Sequence, residues 1–104
     1  MKRPGPDNAE KRLADLNAVL QALAHPARRQ VLMTIYMRGG EVPAGDIAAR
    51  FAHSWPTTTR HLQVLEESGL LVATKSGRLR TYSIRIERLD VVREWLKWFR
   101  ATRK

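Results

Sequence analysis

The sequence predicts a mainly helical domain with one small β-hairpin, arranged as a winged helix-turn-helix of five helices and a two-stranded wing. Apolar residues recur at helical spacing over most of the 104 residues. A segment rich in Val, Ile and Thr, with a Ser-Gly pair near its middle, interrupts that spacing between residues 71 and 86. The resulting order of helix, helix, short helix, turn, helix and hairpin is that of a winged helix-turn-helix.

Length and composition favour one folded unit. The apolar fraction of 43% is enough for a modest core, and domains typically hold about 100–150 residues. Residues 1–8 contain two prolines and a glycine without an apolar period, so we expect a flexible arm there. Residues 9–104 are then the folded domain.

The composition also excludes several classes of protein. The chain has no cysteine, which excludes a disulfide framework, a thiolate metal site and a cysteine nucleophile. It has no apolar run of about 18 residues, and Met1–Lys11 lacks the apolar stretch of a signal peptide. We therefore expect a cytoplasmic protein with no membrane partner.

Leucine spacing and a proline predict the first two helices. Leucines at spacings of 3, 4 and 3 predict a helix from Ala9 to about Ala24, and they are Leu13, Leu16, Leu20 and Leu23. Pro26 fits the first position of a second helix, where a backbone N–H would have no intrahelical role. That helix runs to about Arg38, with four residues expected inward: Val31, Leu32, Ile35 and Tyr36.

The third and fourth helices form the predicted helix-turn-helix pair. The third runs from about Ala44 to Phe51, and a turn at Ala52-His53 follows. Ser54 can accept hydrogen bonds from the free N–H groups of the fourth helix. This helix runs to about Ser68, where Gly69 is well placed as the left-handed residue that closes it.

The C-terminal third contains the predicted wing and the last helix. Strands at Leu71–Lys75 and Arg80–Ile86 flank Ser76-Gly77, a pattern that predicts a hairpin. Helical spacing returns from Leu89 to Phe99. This helix has two apolar stripes, one of Leu89, Val92, Leu96 and Phe99 and one of Val91, Trp95 and Trp98.

Charge is concentrated in that same third. The formal net charge is +9; residues 1–74 hold nine basic and seven acidic side chains, and residues 75–104 hold ten and three. A lopsided positive charge indicates a polyanionic partner, most often nucleic acid.

The fourth helix offers polar side chains suited to DNA. At about 100° per residue, Thr58, Leu62 and Leu65 share the core face, with Pro56, Thr59, Arg60 and Gln63 roughly opposite. Arginine can pair bidentately with guanine and glutamine with adenine. The wing tip adds Lys75, Arg78 and Arg80, which suit phosphates or a minor groove.

Both terminal helices carry more apolar surface than one domain needs to bury. Large groups such as Trp95 and Trp98 near a chain end indicate a partner surface. We therefore expect a two-fold homodimer that presents two recognition helices to double-stranded DNA. The predicted interface residues are Leu13, Leu16, Leu20, Val91, Trp95, Trp98 and Phe99.

Four segments resemble one family of bacterial regulators. They are ALAHPARRQVL (22–32), PAGDIAARF (43–51), SWPTTTRHLQVLEESGLL (54–71) and KSGRLRTYSI (75–84). They are similar to the arsenic-repressor type (ArsR/SmtB) of winged-helix regulators. The resemblance implies a homodimeric repressor that binds an inverted-repeat operator. With the residues singled out above, the predicted DNA-binding set is Ser54, Trp55, Thr57, Thr59, Arg60, His61, Gln63, Lys75, Arg78 and Arg80.

The chain departs from this family where many members sense metals. The matching third-helix stretch, residues 42–46, has no sulfur, and the last helix has Asp90 and Glu94 but no histidine. Ion pairs with Arg93 and Lys97 are the simpler role for those carboxylates. We expect no metal site and no cofactor, and the sequence does not identify an effector.

Two other functions compete with DNA binding. The first is an enzyme. The sequence shows no nucleophile triad, phosphate-binding loop or metal-ligand cluster that would indicate one. A protein-interaction or RNA-binding winged helix is the alternative to a DNA-binding regulator, and the outward side chains of the fourth helix would discriminate between them.

Overall fold

The computed structural model describes residues 6–50 and 54–99. Three predicted features lie outside these residues: the first part of the arm, Phe51 and the turn at Ala52-His53. The side chain of Trp55 is also outside the description, although its backbone belongs to a helix.

Five α-helices and three strands make up the described chain. The helices are α1 (Pro6–Leu23), α2 (Pro26–Met37), α3 (Ala44–Arg50), α4 (Trp55–Glu67) and α5 (Asp90–Leu96). The strands are β1 (Glu41–Pro43), β2 (Leu71–Ser76) and β3 (Leu79–Ile84). Short 3-10 turns, Ile86–Leu89 and Lys97–Phe99, flank α5. No helix among these residues is long and apolar enough to cross a bilayer.

Local capping signals place the helix ends close to the predicted positions. The His25 Nδ1 accepts a 3.1 Å hydrogen bond from the Ala27 N–H, which begins α2 beside Pro26. Ser54 caps α4, and Gly69 follows it with a φ of 87°. The first helix begins at Pro6, inside the segment predicted to be an arm.

The sheet has one strand more than the predicted hairpin. Its order is β1-β3-β2 with antiparallel neighbours, so β3 is the central strand. Val42 of β1 pairs with Tyr82 of β3, and the Ile84 N–H donates to the Gly40 carbonyl at 2.9 Å. A strand of three residues that ends in proline carries little local signal, since only its distant partner stabilises it.

The core lies between α1, α2, α4 and the sheet. Thr58, Leu62 and Leu65 are almost fully buried, which confirms the predicted inward face of α4. The prediction for α2 holds at Val31, Leu32 and Ile35 and is wrong at Tyr36, which is 54% exposed. Ala27, one helical turn before Val31, is buried instead and sets the core face of α2.

The last helix is shorter than predicted. The sequence indicated a continuous helix from Leu89 to Phe99, whereas α5 proper spans seven residues between two 3-10 turns. Val91 and Val92 pack against the core, and Leu96, Trp98 and Phe99 are more than half exposed. The C-terminal part of this segment thus exposes most of its apolar side chains to solvent.

Candidate nucleic-acid interface

The solvent face of α4 carries a compact polar set. Thr59, Arg60 and Gln63 are exposed, and they lie opposite the buried Thr58 and Leu62. Because the opposite face of the helix packs in the core, the orientation of the helix is fixed and these side chains face solvent. A helix anchored on one side and polar on the other has the shape of a recognition helix in a major groove.

The start of α4 is organised by two hydroxyl groups. The Ser54 Oγ accepts a hydrogen bond from the Thr57 N–H at 3.3 Å and donates to the Thr57 Oγ1 at 3.0 Å. Both residues are exposed. The Thr57 hydroxyl proton is not used in this pair, so it can donate to a further acceptor beside the positive end of the helix dipole.

His61 does not belong to the outward set. Its side chain is 7% exposed, and its ring centroid lies 4.6 Å from that of His25. At about 100° per residue it is only about 60° from Thr58, so it falls at the edge of the core face. The structure therefore removes His61 from the predicted DNA contacts and makes it a packing residue between α2 and α4.

The wing is a hairpin with a two-residue turn. Ser76 pairs with Leu79, which leaves Gly77 and Arg78 at the tip. Gly77 has a φ of 61°, as the first central position of a type II′ turn requires. Lys75 and Arg80 are directly paired across the strands. Like charges opposite each other are unfavourable for a sheet, so this pair adds positive charge beside the tip without stabilising the hairpin.

Arg80 has a further contact that sequence reasoning did not identify. Its guanidinium donates to the Tyr82 hydroxyl at 3.4 Å and lies 6.0 Å from the centre of the Tyr82 ring. The hydrogen bond to Tyr82 raises the pKa of Arg80 above its usual value.

A groove of about 320 Å³ separates α1 from α5. Leu13 is 56% exposed at its edge, and Trp98 is 81% exposed. The Trp95 ring packs edge-on against Phe99 with centroids 4.9 Å apart. Leu16, predicted at a dimer interface, is buried within its own chain at 6% exposure, so it forms the floor of the groove rather than its edge.

The carboxylates of α5 are engaged with neighbouring cations. Asp90 accepts from Arg93 at 2.7 Å, and Glu94 accepts from Lys97 at 3.2 Å, both at i,i+3 spacing. Among residues 6–50 and 54–99, no three His, Asp or Glu side chains come together as a metal site would require.

Arg88 connects the parts of the molecule that carry these surfaces. Its Nη2 lies 3.3 Å from Asp15 of α1, and its Nε donates to the Ser68 carbonyl at the end of α4 at 2.8 Å. Sequence reasoning missed this residue because its partners lie 20 and 73 positions away and no local pattern marks them.

The fold and the exposed polar helix define a winged helix-turn-helix protein of the DNA-binding regulator class. Residues 23–73 match the family described as a helix-turn-helix domain. The transcriptional repressor SdpR of Bacillus subtilis is 31% identical over 78% of this chain and 88% of its own length.

Solved structures agree with this class. The crystal structure of an ArsR family transcriptional regulator has a TM-score of 0.74 at 37% identity, over 81% of this chain and 84% of the other. A solution structure of a homodimeric winged helix-turn-helix DNA-binding domain from Mycobacterium bovis has a TM-score of 0.70 at 29% identity, over 93% and 85%. The chain belongs to the ArsR family of transcriptional regulators.

Proposed function

We propose that this protein is a homodimeric transcriptional repressor that binds an inverted-repeat operator in duplex DNA. The observation that carries the proposal is the exposed set Thr59, Arg60 and Gln63, held outward by the buried opposite face of α4. These three groups combine a hydroxyl, a guanidinium and a carboxamide, which suit base edges and phosphates in the major groove. Repression is favoured because SdpR is a repressor.

The wing supplies affinity in this proposal. Lys75, Arg78 and Arg80 lie at or beside the hairpin tip and are exposed. Basic side chains on a narrow hairpin suit phosphates or a minor groove, where they add salt-dependent attraction with little sequence choice. Of the remaining predicted contacts, Ser54 caps α4 and Thr57 reaches a phosphate, and Trp55 stays a prediction from the family resemblance.

The groove between α1 and α5 supports the proposed dimer. Six apolar side chains on the described parts of these two helical segments are at least 36% exposed: Leu13, Leu20, Trp95, Leu96, Trp98 and Phe99. An apolar surface of this extent is typical of a protein interface. The homodimeric M. bovis domain, which aligns with 93% of this chain, supports the same assembly here.

The proposal includes no metal response. Asp90 and Glu94 are occupied by Arg93 and Lys97, and carboxylates without imidazole or thiolate partners are poor ligands for transition metals. DNA binding is therefore expected to be the same with and without zinc, nickel or cadmium.

The first test is selection of binding sites from a random duplex pool with the full chain. We expect an inverted repeat with half-site centres about one helical turn, roughly 10 base pairs, apart. Enrichment of a single half-site would contradict the dimer. A parallel selection with an RNA pool tests the alternative, and enrichment of RNA with no enriched duplex would identify an RNA-binding module instead.

Binding of the selected duplex is then measured by fluorescence anisotropy for R60A and R85A. Arg60→Ala is expected to weaken binding by about 5- to 150-fold, the effect of losing one bidentate base contact. Arg85 is exposed at the end of the hairpin opposite the tip, so Arg85→Ala removes the same charge and should change the Kd less than about twofold. Equal binding by R60A and wild type would remove α4 as the recognition helix.

A further inference from the structure

A second cavity lies on a side of the molecule that DNA contact and dimerisation leave unused. It has a volume of about 380 Å³ and lies between α2, the end of β3 and the segment that leads into α5. Leu32 at 7% exposure and the half-buried Ile84 and Leu89 line its inner part. Its size and apolar lining are those of a small-molecule pocket.

Apolar side chains at its edge are open to solvent. Met33 is 60% exposed, Tyr36 is 54% exposed and Ile86 is 41% exposed. Periodicity predicted that Tyr36 faces the core, and the structure instead directs it to this edge. Apolar groups left in water around a concave surface mark a binding site more often than a plain surface does.

The polar groups of the cavity have one sign of charge. Among the lining residues that the structure describes, Arg29 and Arg93 are charged and none is acidic. One nitrogen of each guanidinium already donates a hydrogen bond within the protein. Arg29 donates to the Leu23 carbonyl at 2.7 Å, and Arg93 donates to the Asp90 carboxylate at 2.7 Å. A guanidinium has five N–H donors, so both retain donors for a carboxylate or sulfonate.

We propose that this cavity binds a small organic anion with an apolar body, such as a medium-chain carboxylate. The apolar body lies on Leu32, Ile84 and Leu89, and the anionic head is bound by Arg29 and Arg93. The ligand acts as an effector of DNA binding, a part of the proposal that rests on the proposed function.

The position of the cavity explains how a ligand would act. Arg93 of α5 lines this cavity, and Val91 and Trp95, which line the groove between α1 and α5, lie roughly opposite it on the helix at about 100° per residue. Ile84 ends β3, the central strand that also forms the wing. A bound molecule therefore contacts both the helix proposed for dimerisation and the strand that carries the wing.

Binding is tested on the full chain by methyl NMR, with octanoate as the probe and octanol as its neutral counterpart. Octanoate is expected to shift the Met33 methyl signal in a saturable way, with Met37 and the indole signals of Trp98 unchanged. Octanol is expected to bind at least fivefold more weakly. A Met33 signal that neither probe shifts overturns the site, and equal binding of both probes overturns the role of the arginines.

Variants give a second, independent measurement. The double change Arg29→Gln with Arg93→Gln is expected to weaken octanoate binding at least fivefold and leave octanol binding unchanged. Arg85→Gln, which removes an exposed arginine outside the cavity, is the matched control and should bind octanoate as wild type does. An equal loss in the control would show attraction by general charge and overturn the proposed contacts.

The effector role is tested with the selected duplex. Saturating octanoate is expected to change the Kd for DNA by fivefold or more, within the usual range of coupling between two sites. An unchanged Kd with a shifted Met33 signal overturns the effector role alone. Failure of the wild-type protein to bind any duplex overturns the proposed function, and the NMR result on the cavity is unaffected by it.

Discussion

The guanidinium of Arg88 and the carboxylate of Asp15 form an ion pair of 3.3 Å between residues 73 positions apart in the chain. Both side chains are about one-quarter exposed. The same guanidinium donates from Nε to the Ser68 carbonyl at 2.8 Å. One side chain thus joins α1, the end of α4 and the turn that leads into α5, so the proposed dimer surface and the proposed DNA-binding surface are connected directly.

Asp15→Asn is expected to lower the thermal stability at neutral pH and to have a diminishing effect in acid. The hydrogen bond from Arg88 lowers the pKa of Asp15 below its usual 3.8. A carboxyl with a lowered folded-state pKa stabilises the fold above its unfolded value and loses that contribution as the pH falls through the folded value. Melting temperatures measured from pH 7 to pH 2 should therefore converge for variant and wild type.

Asp46→Asn is the control for this prediction. Asp46 is more exposed and lies 3.9 Å from Arg38, so its removal should have a smaller effect at every pH. A constant difference between D15N and wild type across the whole pH range would contradict the role of the Asp15 charge.

Gly69→Ala is expected to cost about 1–3 kcal/mol of unfolding free energy. Gly69 has a φ of 87°, and a Cβ there would lie 2.8 Å from the Arg88 Nε. An alanine would therefore have an unfavourable backbone conformation at this position. Its methyl group would also displace the Arg88 side chain, which donates to the Ser68 carbonyl. Chemical denaturation measures the loss.

The matched control is Gly45→Ala. Gly45 lies in α3, and among the described residues no atom outside its own helix backbone and its chain neighbours lies within 4 Å of the position that an added Cβ would take, so alanine should be neutral or stabilising by about 0.5–1 kcal/mol. Equal stability of G69A and G45A would show that the close approach to Arg88 does not restrict position 69.

Gln63→Ala is expected to relax specificity at one position of each half-site. The loss of one carboxamide contact should cost about 1–3 kcal/mol on the selected duplex and little on unrelated duplexes. Gln30→Ala changes another exposed glutamine, on α2, and serves as the control. Parallel losses on selected and unrelated duplexes would show that Gln63 contacts the backbone rather than a base.

Arg78→Ala is expected to weaken binding of selected and unrelated duplexes alike. Arg78 lies at the tip of the wing, where a phosphate contact adds affinity without sequence choice. The slope of log K against log salt should fall by about one for each protomer, as measured by anisotropy titrations. Loss of binding on the selected duplex alone, with no change of slope, would indicate direct base contact by the wing.

The double change Trp95→Ala with Trp98→Ala is expected to raise the dimer dissociation constant by at least about 30-fold, the effect of losing hot-spot side chains worth about 2 kcal/mol or more. Sedimentation equilibrium measures this constant. Met37→Ala removes a side chain that is 73% exposed on α2 and should leave it unchanged. A double variant that remains as dimeric as wild type would place the interface elsewhere.

Signals between near neighbours were sufficient to predict most of the helices and the hairpin. The Ser54 cap, the proline of α2 and the glycine after α4 each act within a few residues, so their effect can be predicted from the sequence. Helical spacing likewise separated Thr58 and Leu62 from Arg60, because one helix face is buried and the other is not. The wing and the outward set of α4 followed from the same local rules.

Contacts between segments distant in the sequence determined the features that local patterns did not predict. The strand β1 exists because β3 pairs with it, and Arg88 acquires its role from Asp15 and Ser68. His61 and Tyr36 both lie near the boundary of an apolar helix face, where helical spacing alone does not determine whether a side chain is buried or exposed. Packing buried His61 against His25 and left Tyr36 in solvent, since burial depends on which neighbours arrive from elsewhere in the chain.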